Sequence, residues 1–121
     1  MASIAAADDD RDVRTLVERV LVRAGHDVST HDDGAALVAD VRANHPDVVV
    51  TDNEMPAMTG LEVIQTLHDD NETADIPVVL ATGSVSETTA AEVMNEHDQL
   101  VRKPFTPAEL QDSVDTALDE T

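Results

Sequence analysis

Short apolar runs alternate with amphipathic segments along the whole chain. The runs at residues 48–52, 76–81 and 99–102 are rich in branched aliphatic side chains and have the length of buried strands. Weaker runs lie at 4–7, which is mostly alanine and therefore has low strand propensity, and at 26–31, where Val28 is the anchor. The pattern predicts five strands at these positions.

The segments between these runs place apolar side chains three or four residues apart, which is typical of amphipathic helices. The spacing predicts helices at 11–24, at 34–43, from Thr59 or Gly60 onward, at 87–95 and from Pro107 to the end of the chain. Asp10 is the predicted N-cap of the first helix and Gly25 its stop. Thr106 is the predicted cap of the last one.

Strands that alternate with helices five times predict an α/β fold, because right-handed crossovers place the strands in a parallel sheet with helices on both faces. We predict a flavodoxin-like (βα)5 doubly wound parallel sheet with strand order 2-1-3-4-5, in one domain spanning residues 1–121. This order places the carboxyl ends of strands 1 and 3 side by side. Ligands of such sheets bind at that point.

The net charge of the chain argues against some classes of binding partner. Seven basic and 26 acidic residues give a formal net charge of −19, and a surface of this kind repels nucleic acids and anionic lipids. Acids dispersed through the whole chain are typical of proteins solvated in high salt, so we expect a halophilic source. The alternative is an ordinary acidic protein that binds a basic partner.

Several further classes are excluded by what the sequence lacks. There is no cysteine, which excludes disulfides, thiol redox chemistry and thiolate zinc sites. We find no signal peptide and no apolar stretch of membrane-spanning length, so we predict a cytoplasmic protein. The five histidines lack metal-ligand spacing and are predicted to lie on the surface.

Three acids are predicted to meet where strands 1 and 3 end. Asp8 and Asp9 follow strand 1, and Asp52 ends strand 3. Carboxylates this close raise one another's pKa, and a divalent cation resolves the conflict. Magnesium suits the site because it prefers oxygen ligands. Alone, Asp8 or Asp9 would be an ordinary helix cap and Asp52 an ordinary turn residue.

The neighbouring strand ends supply groups that suit a phosphoryl group. Thr82 follows strand 4 with a hydroxyl, and Lys103 follows strand 5 with an ammonium. In isolation these would be a turn residue and a surface charge. Together they predict that Asp52 is a nucleophile toward phosphorus, forming an acyl phosphate while the lysine and a metal take up charge on the phosphoryl oxygens.

These motifs resemble the receiver domain of two-component response regulators, and the resemblance covers essentially the whole chain. The motifs that carry it follow four strands: Asp8-Asp9, Asp52 with Met55-Pro56 and Gly60, Thr82, and Lys103-Pro104-Phe105.

The resemblance implies that Asp52 is the phosphoacceptor and that Mg²⁺ is bound by Asp8, Asp9, Asp52 and the main-chain carbonyl of Glu54. It implies that Thr82 and Lys103 contact the phosphoryl group and that the Lys103–Pro104 bond is cis. The phosphoryl donor would be a sensor histidine kinase or a histidine phosphotransfer protein. The output would reach a downstream effector protein through the face formed by helix 4, strand 5 and helix 5.

The sequence departs from the family pattern at three places, the first of which is the Ala5-Ala6-Ala7 strand, less bulky than the usual aliphatic one. Leu100 stands where receivers usually carry an aromatic residue on strand 5, which leaves open how the switch is transmitted. Glu96 and His97 stand where small residues are usual, so we expect an irregular end to helix 4.

Two other functions were weighed. A constitutive binding module that is never phosphorylated is the main alternative, although degenerate receivers usually lose an acid or the lysine. A phosphatase of the haloacid dehalogenase type would place a second aspartate where this chain has Glu54. We therefore expect a signalling domain that is not an enzyme.

Overall fold

The computed structural model describes residues 2–119, which form five strands that alternate with five helices. The strands are β1 (Ser3–Ala7), β2 (Asp27–His31), β3 (Val48–Thr51), β4 (Val78–Thr82) and β5 (Gln99–Arg102). The helices are α1 (Arg11–Arg23), α2 (Gly34–Asn44), α3 (Gly60–His68), α4 (Glu87–Val93) and α5 (Pro107–Asp119).

The strands form one parallel sheet in the order β2-β1-β3-β4-β5, which confirms the predicted fold. In the register between β1 and β3, Ala7 lies beside Thr51. In the register between β4 and β5, Thr82 lies beside Arg102. The residues that directly follow β1 and β3 are therefore neighbours, and those near the ends of β4 and β5 lie alongside them.

The helices cover both faces of the sheet and bury two separate apolar clusters. One cluster packs α1 and α5 against the sheet, with Leu21, Leu110 and Val114 fully buried. The other packs α2 and α3 against the opposite face, with Leu37 and Ile64 fully buried. Since both faces are covered, the central strands are apolar on both sides and need no alternation of polar residues.

The alanine-rich run forms β1, a central strand despite its low strand propensity. Ala5 and Ala7 contribute to the cluster with α2 and α3, while Ile4 and Ala6 contribute to the cluster with α1 and α5. Hydrogen bonding to a strand on each side and burial on both faces outweigh the propensity of alanine.

Several boundaries differ from the prediction. β4 begins at Val78 because Pro77 has no N–H for the ladder, and it runs on to include Thr82. α2 extends to Asn44 and ends at His45, which adopts φ 47°. α4 ends early, with Met94 extended, as the residues before β5 led us to expect. The predicted continuation of α5 beyond Asp119 lies outside the described residues.

The histidines, which were predicted to lie on the surface, differ in exposure. His45 is exposed, but the other four are half-buried. The Nε2 atom of His31 lies 2.8 Å from Asp40, and that of His68 lies 3.1 Å from Asp98. These pairings join residues that no periodic pattern connects.

Candidate functional site

The acids after β1 and β3 meet at the carboxyl edge of the sheet. One carboxylate oxygen from each of Asp8, Asp9 and Asp52 lies within 4.8 Å of the others. Asp8 and Asp52 are buried, whereas Asp9 is exposed. The main-chain N–H of Asp52 donates to the carbonyl of Ala7 at 3.1 Å, so the sheet ladder itself holds the two strand ends together.

Lys103 reaches this cluster from the end of β5. Its Nζ lies 2.8 Å from Asp8 Oδ2 and 3.3 Å from Asp52 Oδ1. Burial alone would lower the pKa of Lys103, but the hydrogen bond and charge of Asp8 and the charge of Asp52 raise it above its usual value. The lysine is therefore a fixed positive charge beside both buried carboxylates.

Asp52 is the acid whose protonation is most perturbed. Burial, a hydrogen bond with the Glu54 carboxyl group and the charge of Asp8 raise the pKa of Asp52 to about 6, while Lys103 acts in the opposite direction. At neutral pH the group is thus mostly ionised, at a cost to the folded state. Any further positive charge that binds beside this ionised carboxylate therefore stabilises the folded protein.

The loop after Asp52 is closed by hydrogen bonds to α3. The carbonyl of Asn53 accepts from the N–H of Gly60 at 3.0 Å, and the Asn53 side chain accepts from the N–H of Leu61 at 3.1 Å. Gly60 is needed because a Cβ atom there would lie 2.3 Å from the carbonyl oxygen of Asp52. Met55 is buried in the cluster that α2 and α3 share, and Met58 is partly buried against the same cluster.

Thr82 faces the same edge from the end of β4. Its hydroxyl lies 3.1 Å from each carboxylate oxygen of Glu54, and it accepts from the N–H of Ser84 at 3.2 Å. Thr82 is fully buried, whereas Glu54 is exposed. The threonine is therefore placed by the strand, and the glutamate reaches over it from the loop after Asp52.

The donor set fits a hard divalent cation. It consists of carboxylate oxygens from three residues close enough to share one ion. Burial and the charge of Asp8 raise the pKa of Asp52, so a cation bound beside it would stabilise its ionised form. The residues present are thus compatible with magnesium.

Two features of the site carry no signal in the sequence. The Arg14 guanidinium, one turn into α1, donates to the carbonyl of Asp8 at 2.8 Å. The Arg102 guanidinium donates to the carbonyl of Val85, which links β5 to the loop before α4. A surface arginine on a helix or strand end gives no indication of its partner until the chain is folded.

One expectation about the loop after β5 is confirmed. The Lys103–Pro104 peptide bond is cis. Leu100 is half-buried and, like Val93 and Met94, packs against the cluster that α2 and α3 share. An aliphatic side chain thus fills the place where an aromatic one was expected from the resemblance.

Comparison with known proteins agrees with this geometry. Residues 4–115 match the family model of the response regulator receiver domain. Transcriptional regulatory protein PrrA of Mycobacterium tuberculosis is 36% identical over 107 residues, which make up 88% of this chain and 46% of that protein. C4-dicarboxylate transport transcriptional regulatory protein DctD of Pseudomonas aeruginosa is 38% identical over 114 residues, 93% of this chain and 24% of that protein. The chain spans less than half the length of these curated relatives.

Solved structures match over nearly the full chain. Chemotaxis response regulator CheY4 of Vibrio cholerae has a TM-score of 0.87 and 30% identity, covering 98% of this chain and 99% of that one. A putative response regulator from Chloroflexus aurantiacus has a TM-score of 0.89 and 25% identity, covering 98% of each chain. Within residues 2–119, each helix is too short or too polar to cross a bilayer. Since the family model, the relatives and the arrangement of strand ends all agree, the chain belongs to the receiver domain family of two-component response regulators.

Proposed function

We propose that Asp52 accepts a phosphoryl group from the phosphohistidine of a sensor histidine kinase or a histidine phosphotransfer protein. A carboxylate oxygen of Asp52 forms a bond to phosphorus as the bond from phosphorus to the histidine nitrogen breaks. The imidazole leaves as a neutral base once it has taken up a proton, and the product is an aspartyl phosphate.

The observation that carries this proposal is that Asp52 lies beside the ammonium group of Lys103, which also contacts Asp8. Lys103 Nζ lies 3.3 Å from the Asp52 carboxylate and can stay beside the oxygens of an incoming phosphoryl group. Asp8 holds the same ammonium at 2.8 Å, so the lysine is oriented before any ligand arrives. Thr82 offers a hydroxyl donor at the neighbouring strand end.

We propose Mg²⁺ as the cofactor. Asp8, Asp9 and Asp52 would hold it with side-chain oxygens, and Glu54 would contribute its main-chain carbonyl. When bound, the ion neutralises the acidic cluster and charge on the phosphoryl oxygens. The closeness of the three carboxylates supports this assignment.

The output is proposed to pass to an effector protein through the surface formed by α4, β5 and α5. Thr82 lies at the end of β4, and β5 is hydrogen bonded beside that strand. A change at Thr82 therefore has a short path to Leu100. Because Leu100 lacks the bulk of an aromatic ring, we expect a smaller rearrangement of this surface than an aromatic residue would give.

We further propose that residues 1–121 form one receiver domain that works in the cytoplasm of a halophile. The net charge of −19 supports the halophilic setting, because concentrated salt screens the repulsion among the acids. The same charge argues against direct binding to nucleic acid. In this role the domain is modified at Asp52 and loses the modification, so it is a signalling module and not an enzyme.

The experiment is intact-mass spectrometry after incubation with acetyl phosphate in high-potassium buffer, with and without Mg²⁺. We expect a Mg²⁺-dependent gain of one phosphoryl group, absent in Asp52→Asn. No gain in a protein that circular dichroism shows to be folded would contradict the proposal and leave the constitutive binding module.

A further inference from the structure

The side chain of Glu54 is bound to the hydroxyl that the proposed reaction requires. Both of its carboxylate oxygens lie 3.1 Å from Thr82 Oγ1. Thr82 itself is fully buried at the end of β4. The glutamate two residues after the acceptor is thus in contact with Thr82, at the edge of the sheet where a phosphoryl group on Asp52 would have to fit.

Thr82 cannot serve both groups at once. A hydroxyl has one hydrogen to donate, and here that hydrogen points to Glu54. The same oxygen accepts from the N–H of Ser84 at 3.2 Å and lies 3.4 Å from Ser84 Oγ, and neither contact adds a second hydrogen that Thr82 could donate. A phosphoryl oxygen that binds Thr82 must therefore take the place of a Glu54 oxygen.

We infer that the Glu54 carboxylate occupies the phosphoryl-oxygen position on Thr82 and competes with the incoming phosphoryl group. This inference rests on the proposed function of Asp52. Glu54 acts through Thr82 as a positioning residue: it accepts from the Thr82 hydroxyl while the site is unmodified, and it must leave that hydroxyl when the site is modified.

The negative charge of Glu54 strengthens its competition with the phosphoryl group, and the solvent exposure of its side chain limits that competition. A carboxylate beside a phosphoryl group repels it, because both are negative and lie in a partly desolvated site. Glu54 is exposed, however, so its carboxylate can turn into water without breaking any packing. The contact is thus displaceable, and it should weaken phosphoryl binding by about threefold to tenfold, the range of one partly screened hydrogen bond to a charged acceptor.

The test uses beryllofluoride, which mimics a phosphoryl group on a carboxylate, with the full chain in high-potassium buffer containing Mg²⁺. Its dissociation constant is measured by fluorine NMR for the parent protein, Glu54→Ala and Glu54→Gln. Glu92→Ala is the matched control, because it removes the same charge from an exposed site on α4. Each Glu54 variant is also made in a Thr82→Ala background.

We expect Glu54→Ala to tighten beryllofluoride binding about fivefold. Glu54→Gln should give a smaller gain, since its amide oxygen still accepts from Thr82. Glu92→Ala should give none. In the Thr82→Ala background the gain from Glu54→Ala should shrink, because no hydroxyl is left to compete for. Without metal or beryllofluoride, the Thr82 methyl resonance should move in Glu54→Ala and not in Glu92→Ala.

Three results would overturn the inference. These are unchanged or weaker binding in Glu54→Ala, a gain that is equal with and without the Thr82 hydroxyl, and a Thr82 methyl resonance that does not respond to Glu54. If the parent protein itself fails to bind beryllofluoride, the proposed function of Asp52 fails together with the inference. If the parent binds and only the Glu54 effects are missing, the inference alone is wrong.

Discussion

Replacing Asp52 with asparagine should stabilise the metal-free protein at neutral pH. The pKa of Asp52 rises from 3.8 to about 6, chiefly because the group is buried. Since one pKa unit is worth about 1.4 kcal/mol, the ionised carboxylate lowers the free energy of unfolding by about 3 kcal/mol. Asparagine keeps the shape and removes the charge, so we expect a gain of about 2 to 3 kcal/mol at about pH 7.5.

The direction of the pKa shift of Asp52 determines how this gain in stability depends on pH. An acid with a raised pKa stabilises the fold in its protonated form, and that contribution is complete below about pH 4 and is lost as the pH rises through about 6. The advantage of Asp52→Asn over the parent protein should therefore be largest above about pH 7 and should vanish near pH 4.

Urea unfolding followed by far-ultraviolet circular dichroism is the suitable assay, since the chain has no tryptophan or tyrosine to report by fluorescence. A chelator keeps the site free of metal, and the potassium concentration is held constant. Asp75→Asn is the control, because it removes the same charge from an exposed position. The reasoning is refuted if Asp52→Asn stabilises no more than Asp75→Asn at neutral pH, or if its advantage persists at pH 4.

Three further predictions follow from the site and the fold. Mg²⁺ at about 100 times its dissociation constant should add about 2.7 kcal/mol to the free energy of unfolding. Asp9→Asn should reduce this gain in thermal melts. An equal gain in the parent protein and the variant would exclude Asp9 as a ligand. Gly60→Ala should cost about 3 kcal/mol or more in urea unfolding, because the new Cβ overlaps the Asp52 carbonyl; a cost below about 1 kcal/mol would show that α3 can shift. Asp98→Ala should cost about 2 to 3 kcal/mol, since it leaves the buried N–H of Val78 without its acceptor, and unchanged stability would mean that another group replaces it.

The order of the elements and the meeting of the acids could be predicted because both follow from local patterns. Branched aliphatic runs and helical spacing identify the elements, and the right-handed crossover leaves few topologies. In a parallel sheet, residues that follow adjacent strands must be neighbours. The order of the strands alone therefore predicts that Asp8 and Asp52 lie together.

Side-chain pairings could not be predicted in the same way. The contacts of His68 with Asp98 and of Thr82 with Glu54 join distant positions, and each depends on ångström-scale placement of two backbones. The start of β4 was misplaced for a related reason. Ile76 and Pro77 extend the apolar run, but the paired strand begins only at Val78, beside Val49 of β3, because Pro77 has no N–H to donate.

The closed loop between Asp52 and α3 limits how this part of the chain could vary. Gly60 and Asn53 join its two ends by hydrogen bonds, and the missing side chain of Gly60 lets them approach closely. An inserted or deleted residue would open this ring and displace the acceptor, so the length of the loop is fixed. The side chains of the loop are not fixed in this way, because the Glu54 side chain projects away from the ring. Single substitutions in such a loop can change the groups beside the acceptor while Asp52 keeps its position.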